Sequence, residues 1–192
     1  MPYPKGHKVK VRNHILDSAA QAFRKNGIRE SSVPSIMKGA GLTHGGFYSH
    51  FESKEQLIAE TCSNIVNHTI DILQTVALEE NTESKFDAVI NYYLSPYHRD
   101  HIEGGCIIPT LSGEISQSSE EIREIFSQEL DRFIEFISDI AGCDKSTGGV
   151  VLSIMIGSLI LARGVQDPVS SDNILAAGRT HAMNVLHSNS AR

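Results

Sequence analysis

The chain has 192 residues, of which 40% are hydrophobic and 21% charged, and its formal net charge is −6. This composition is typical of a folded globular protein and excludes a disordered chain. The three cysteines are widely spaced and form no Cys-x-x-Cys pair, which argues against a disulfide framework and a structural zinc site. No metal or other cofactor is predicted.

Three short helices are predicted at the start of the chain. The first covers 12–25, where apolar residues recur at helical spacing, and it stops at Gly27. Ser32 caps the second, which ends at Gly41 because glycine tolerates the left-handed turn of a helix end. Thr43 caps a third helix of about two turns that ends near Phe51.

A long fourth helix is predicted to follow. Ser53 and Gln56 form a capping box, in which each side chain satisfies a free backbone N–H. Behind this box, apolar residues repeat at spacings of three and four from Ile58 to Val76. This stripe predicts one helix of roughly 24 residues, about 36 Å long.

The remainder of the chain is predicted to be helical as well. Helices are expected at 84–97, 106–115, from a Ser118–Glu121 capping box to 140, at 146–163 and at 171–187. The apolar stretch 150–162 is shorter than the roughly 20 residues that span a bilayer. Because residues 1–12 also lack the apolar segment of a signal peptide, we expect a cytoplasmic protein that does not enter a membrane.

Charge is unevenly distributed along the chain. Residues 1–54 hold nine Lys and Arg against three Asp and Glu, a balance of +6, whereas residues 55–192 carry −12. This asymmetry favours an anionic partner for the N-terminal part, and an acidic remainder would confine DNA to one end. The alternative is that the charges segregate by chance on a solvated surface.

The second and third helices have the features of a helix-turn-helix. The small residues at 39–43 fit its tight turn, and Leu42 can fill the gap between the helices. In this motif the second helix enters the major groove of DNA. The third helix carries hydrogen-bonding side chains, a tyrosine that can reach a phosphate, and two glycines that permit close approach of the backbone: Thr43, His44, Gly45, Gly46, Tyr48, Ser49 and His50. Lys54 and the N–H groups of the fourth helix could hold another phosphate.

Residues 32–57 resemble the helix-turn-helix signature of the TetR family. The resemblance rests on Ala-Gly-Leu at 40–42, Phe-Tyr-Ser-His-Phe at 47–51 and Ser-Lys-Glu-Gln-Leu at 53–57, and it is specific over roughly residues 12–60. It implies an all-α fold of about nine helices, with a DNA-binding domain at 1–54 and a ligand-binding and dimerisation domain at 55–192. The third helix departs from many relatives in carrying two glycines where they have Lys, Pro or Thr.

The resemblance also implies roles for individual residues. Phe47 and Phe51 match core positions, and the predicted DNA-binding residues are Ser32, Ser35, Thr43, His44, Gly45, Gly46, Tyr48, Ser49, His50 and Lys54. It further implies a homodimer that binds double-stranded operator DNA and responds to a small-molecule inducer of unknown identity. The two apolar C-terminal helices, with Gly157 and Gly164, would then form a four-helix bundle across a two-fold axis; a purely intrachain core is the alternative.

A ligand pocket is expected among the fourth to eighth helices. The candidate lining residues are Ile65, Phe86, Tyr93, Tyr97, Cys106, Ile107, Leu111, Phe126, Phe133 and Met155, for each of which a plain core position is the alternative. Cys106 follows two glycines and is expected to open a helix, where the helix N-terminus would lower the pKa of its thiol. Part of the TetR family is similar here, which suggests an oxidant or electrophile sensor; the alternative is a buried structural thiol.

The sequence therefore predicts a ligand-responsive DNA-binding regulator, most simply a repressor. An enzyme is not expected, because the chain contains no GxSxG, Walker, GxGxxG or HExxH motif. The alternative from another class is a helical adaptor that binds only proteins. The dependence of DNA binding on salt concentration distinguishes a regulator from an adaptor, because affinity for duplex DNA falls steeply as counterions compete for the phosphates.

Overall fold

The computed structural model describes residues 5–79 and 84–189, and this part of the chain is all-α, as predicted. Its helices are α1 (Lys5–Asn26), α2 (Val33–Gly39), the 3-10 helix η1 (His44–Ser49), α3 (Lys54–Ala77), α4 (Lys85–Tyr93), α5 (Pro96–Asp100), the 3-10 helix η2 (Ile102–Gly104), α6 (Ile108–Ile115), α7 (Glu120–Ala141), α8 (Lys145–Gly164) and α9 (Pro168–Asn189). The chain divides into two compact units, residues 1–65 with 110–127, and residues 66–109 with 128–192.

The first unit is built around α1, α2, η1 and the start of α3. The apolar stripe predicted along α1 is buried, and Ile15 and Phe23 are fully enclosed. Ile36 and Met37 of α2 complete this core together with the apolar face of α3. The burial of one continuous apolar face explains why three helices too short to be stable alone can form a fixed unit.

The turn between α1 and α2 is held by side chains distant in sequence. Gly27 adopts a left-handed φ of +77°, and a Cβ there would lie 2.0 Å from Oε1 of Glu114. The Glu114 carboxylate of α6 accepts hydrogen bonds from the backbone N–H groups of Ile28 and Arg29, both at 2.9 Å. Lys54 donates from Nζ to the carbonyl of Ile28 at 3.0 Å. The turn is therefore fixed in place from two sides.

The second unit packs α8 against α9, with α4 and α5 alongside. The close approach of α8 and α9 depends on Gly178, because a Cβ at that position would lie 2.4 Å from Oγ of Ser158. Tyr93, Phe133 and Met155 are fully buried in the core of this unit. By length and composition, α8 could cross a membrane, but a core helix of a soluble protein passes the same test, so this is weak evidence.

Several predicted helix limits are wrong, and the reasons are local. The predicted helix at 84–97 is broken at Leu94, because Ser95 caps a new helix by accepting from the N–H of His98 at 3.1 Å and Pro96 lies in its first turn. The helix expected from 106 begins at Ile108. The cap of α7 is Ser119 rather than Ser118, whose hydroxyl donates instead to the carbonyl of Glu114.

Other limits agree with the sequence or extend beyond it. α3 has 24 residues, as its apolar stripe predicts. α1 begins seven residues earlier than expected, at Lys5. The boundary predicted between residues 54 and 55 stays a prediction; by contacts, the first unit also includes the start of α3 and residues 110–127.

Candidate nucleic-acid interface

The segment expected to enter DNA, predicted as a helix of about two turns, is a 3-10 helix of six residues. Thr43 occupies the cap position with extended backbone, but among the described residues its side chain makes no capping hydrogen bond. Gly45 and Gly46 weaken regular helix formation by about 1 kcal/mol each, which is consistent with the tighter and shorter helix. The Thr43 hydroxyl remains exposed at the surface.

Two phenylalanines anchor η1 to its unit. Phe47 and Phe51 are buried and stack with ring centroids 5.6 Å apart, as their predicted core positions require. The guanidinium of Arg12 lies 4.3 Å from the centre of the Phe51 ring. Tyr48 contacts Phe47 edge-on but is 68% exposed, so its hydroxyl is free to reach a partner in solvent.

Caps fix the helices on either side of η1. Ser32 accepts from the N–H of Ser35 at 3.2 Å, and Gly41 takes a left-handed φ of +67° after α2. Ser53 accepts from the N–H of Gln56 at 3.0 Å, whereas the side chain of Gln56 accepts from the N–H of Glu52 rather than from that of Ser53. The caps predicted at Ser32 and Ser53 are thus present, whereas the cap at Thr43 and the bond from Gln56 back to Ser53 are not.

The first unit brings the ten predicted DNA-binding residues together on α2, η1 and the start of α3. Seven of them are exposed: Ser32, Ser35, Thr43, His44, Gly45, Tyr48 and Ser49. Gly46, His50 and Lys54 are partly buried, and Lys54 already donates to the α1–α2 turn. Their contacts with DNA stay a prediction.

Neither glycine of η1 is required by the fold. A Cβ at Gly45 would have no described atom within 4 Å, and one at Gly46 would meet only ordinary contacts, the nearest being Met37 at 3.7 Å. The described glycines with positive φ are Gly27, Gly41 and Gly142, so neither residue of η1 needs glycine for its backbone conformation. The packing of η1 therefore gives no reason for either glycine.

His50 lies at the end of η1 in a positively charged setting. Burial lowers its pKa, and the charges of Lys8, Arg12 and His7 lower it further. Its carbonyl accepts from Nε of Arg12 at 3.3 Å, whereas its buried Nδ1 atom has no hydrogen-bond partner among the described residues. No pattern in the sequence associates His50 with residues 7 and 8, because the predicted first helix begins only at residue 12.

Most predicted ligand-pocket residues are buried. Phe86, Tyr93, Ile107, Phe133 and Met155 are core residues of the second unit, whereas Ile65 and Leu111 are buried, and Phe126 half-buried, in the first. The prediction for Tyr97 is corrected by the structure. Its side chain is 60% exposed on α5 and stacks on His101, because the break at Pro96 turns it outward. The other residues stay predictions, and none of them lines the α8–α9 groove described below.

Cys106 is not the activated thiol that its sequence context suggested. It lies two residues before α6, is 1% exposed, and contacts the hydroxyl groups of Tyr93 and Thr69. Burial raises the pKa of the thiol, and this outweighs the hydrogen bonds that act in the opposite direction. Its backbone N–H donates to Nε2 of His98, whose pKa burial lowers to about 4, so this histidine is neutral at pH 7.

An open groove runs between α8 and α9 of the second unit. It has a volume of about 650 Å³ and is lined by Ser153, Ile154, Gly157, Ser158, Ile174, Ala177, Gly178, His181, Asn184 and Val185. Val150 and Leu161 lie on the same side of α8 as Ile154 and Gly157, and Leu161 is 61% exposed. An apolar stripe of this kind is unusual on the surface of a monomer.

Comparison with known proteins agrees with this geometry. The sequence profile of the family described as "Bacterial regulatory proteins, tetR family" matches residues 15–61. The transcriptional repressor DhaR of Mycobacterium sp. (strain GP1) is 29% identical over 119 residues, which cover 60% of this chain but only 58% of DhaR. The uncharacterized HTH-type regulator YdgC of Bacillus subtilis is 27% identical over 179 residues, 86% of this chain and 89% of that protein. Reduced NemR of E. coli has the same fold, with a TM-score of 0.73 and 19% identity over 91% of this chain and 96% of that one.

Proposed function

Since the chain belongs to the TetR family of bacterial transcriptional regulators, which are not enzymes, we propose that it is a homodimeric repressor of the cytoplasm. As a dimer, it binds a palindromic operator through two copies of η1, about 34–36 Å apart or a multiple of that distance. A small molecule bound in the second unit releases it. Each part of this proposal has a separate basis in the molecule.

One observation carries the DNA-binding part. η1 is anchored by Phe47 and Phe51 yet presents polar side chains and a steric gap at Gly45 to the outside. A segment whose inner side is anchored and whose outer side is unobstructed is suited to contact a DNA duplex that approaches from solvent. The positive balance of residues 1–54 attracts phosphates to the same unit.

An exposed apolar stripe on α8 supports the dimer. Val150, Ile154, Gly157 and Leu161 recur at spacings of three and four, and the stripe borders the α8–α9 groove. Self-association about a two-fold axis would bury this apolar surface, which contributes roughly 25 cal/mol per Å². A second copy of α8 and α9 completes a four-helix bundle.

Release by a ligand requires a mechanical link between ligand and DNA. α3 is one continuous helix of 24 residues, whose first half belongs to the first unit and whose remainder belongs to the second. A ligand that displaces this helix moves η1 relative to its copy in the dimer. A shift that costs 1.4 kcal/mol in the complex lowers DNA affinity about tenfold.

Chemical modification of Cys106 is a second route to release, and the structure makes it a slow one. A thiol that is buried and whose pKa is raised reacts only when the surrounding helices open. Burial and Asp144 also raise the pKa of the Cys143 thiol, but this residue is partly exposed. With an aromatic disulfide reagent, we therefore expect a fast phase from Cys143 in the folded protein, whereas Cys62 and Cys106 should react only in denaturant.

Substitutions identify the reacting thiol. Cys143→Ser should remove the fast phase of this reaction, and Cys106→Ser should leave it unchanged. A fast phase that disappears in Cys106→Ser instead would mean that Cys106 is accessible, and would favour direct sensing of electrophiles. The readout is the absorbance of the released thiolate at pH 7.

The proposed function as a whole is tested by selection of binding sites from a pool of random duplexes. We expect a palindromic sequence to emerge, and the logarithm of its affinity to fall linearly with the logarithm of salt concentration, by about 0.9 per phosphate contacted. A library of small molecules is then screened for release. A dimer that ignores every duplex at low ionic strength would contradict the proposal and favour a protein-binding adaptor.

A further inference from the structure

The first turns of α1 extend beyond the core of their unit. The buried stripe of this helix passes through Phe23, Ala19 and Ile15 at spacings of four. The same face, continued toward the start of the helix at spacings of three and four, carries Arg12 and Lys8. The face that would bury apolar side chains is therefore cationic where the core ends.

This cationic face borders a groove beside η1. The groove has a volume of about 720 Å³ and is lined by His7, Lys8, Val9, Val11, Arg12, Leu42, Ser49 and His50. Ser49 and His50 belong to, or directly follow, the segment proposed to enter DNA. The groove is thus continuous with the proposed interface.

The two cations in the groove differ in how they are used. Arg12 donates from Nη2 to Oε1 of Glu60 at 2.6 Å and lies over the ring of Phe51, so its charge is compensated within the protein. Lys8 forms no salt bridge in the described part of the chain. The exposed ammonium of Lys8 is therefore available to a partner outside the protein.

The electrostatics of this region call for an anion. The first turn of α1 contains no acidic residue in the described chain, although a helix N-terminus favours negative charge. The positive charges of Lys8, Arg12 and His7 all act on His50, and the buried Nδ1 atom of His50 has no partner among the described residues. A negatively charged group in the groove would relieve this concentration of positive charge.

We infer that the first turns of α1 form a second DNA-contacting element, in which Lys8 binds a phosphate of the DNA backbone beside the DNA groove that η1 enters. This inference rests on the proposed function and adds to it a contact that the helix-turn-helix itself does not include. Lys8 would hold the duplex in position without reading its sequence, because a phosphate contact carries no base information.

The chain offers a matched control on the same helix. Lys10 lies about 200° around α1 from Lys8 and is exposed on the side opposite the groove. Lys8→Ala and Lys10→Ala remove the same charge from the same exposed turns. We would measure the binding of wild type and both variants to the selected operator, and to an unrelated duplex of about 30 base pairs, by fluorescence anisotropy over a range of salt concentrations.

Lys8→Ala is expected to weaken binding to both duplexes about tenfold. The plot of the logarithm of affinity against the logarithm of salt concentration should become less steep, by about one unit of slope for each protomer bound. Lys10→Ala should stay within about twofold of wild type, since it loses only long-range attraction. If Lys8→Ala binds as tightly as Lys10→Ala, with an unchanged slope, the inference is wrong while the proposed function stands. If wild type binds neither duplex, the proposed function and this inference fail together.

Discussion

Replacing Gly45 with glutamate is expected to abolish operator binding without unfolding the protein. A Cβ at this position has no described atom within 4 Å, and the backbone does not need glycine. Gly45 is the second residue of η1, where a carboxylate favours a helix, so the thermal midpoint should stay the same or rise slightly. In the complex, however, the carboxylate would face phosphates at close range. Such repulsion costs several kcal/mol, which corresponds to a loss of at least about 100-fold in affinity.

A second glycine provides the control for this experiment. Gly104 ends the 3-10 helix η2, is exposed, and likewise has open space around an added Cβ among the described residues. Gly104→Glu therefore makes the same change in net charge at an equally permissive site in the other unit. Anisotropy titrations and thermal unfolding of both variants separate a local effect from a general one. Equal affinities for Gly45→Glu and Gly104→Glu would show that η1 does not approach DNA at Gly45.

Much of the fold could be predicted because its signals are local. The stripes of α1 and α3 repeat within a few turns, and the caps at Ser32 and Ser53 act over three residues. Such patterns favour a helix locally, whatever the rest of the chain does. The length of α3 follows from these signals alone, whereas the core positions of Phe47 and Phe51 were implied by the resemblance to the TetR signature.

The features that sequence reasoning missed depend on residues far apart. The carboxylate of Glu114 holds the N–H groups of Ile28 and Arg29, 86 and 85 residues away, and no spacing in the sequence indicates this contact. The 3-10 form of η1 reflects a balance between glycine propensity and the anchoring of Phe47. Two signals conflict at Ser95. A serine followed by proline marks the start of a helix, whereas the apolar residues on either side continue at helical spacing and predict one unbroken helix.

The sequence places most of the predicted DNA-contacting residues in one short segment, and whether they contact DNA stays a prediction. Lys8, which we propose as a phosphate contact, is not among the residues predicted from the sequence, because the residues before Arg12 contain no apolar repeat that would extend α1 to it. The signal available was the face on which Lys8 lies once α1 is extended back by two turns. Tyr97 is predicted to line the pocket because the predicted helix continues through Pro96, whereas the structure breaks it at Leu94.

Gly157→Lys is expected to convert a dimer into a monomer and thereby to remove operator binding. Gly157 lines the α8–α9 groove, and a Cβ there would have no described atom within 4 Å, so the protomer can accept the longer side chain. Across a two-fold axis, two lysines would instead be forced into one apolar interface without partners, and a lysine buried in this way is strongly unfavourable. Sedimentation should give a mass of 21.0 kDa rather than twice that value.

Lysine is chosen because its charge alone would strengthen binding to DNA, so a loss of affinity must come from the loss of the dimer. A dimer gains from holding two half-sites at once, and a monomer forfeits this effective concentration, which lowers affinity about 100-fold or more. Gly104→Lys, at an exposed site outside α8 and α9 and also with open space around its Cβ in the described structure, should remain dimeric and bind normally. A dimeric Gly157→Lys with wild-type affinity would place the interface elsewhere. A monomer that still binds the palindrome as tightly as wild type would mean that the two η1 segments do not act as a pair.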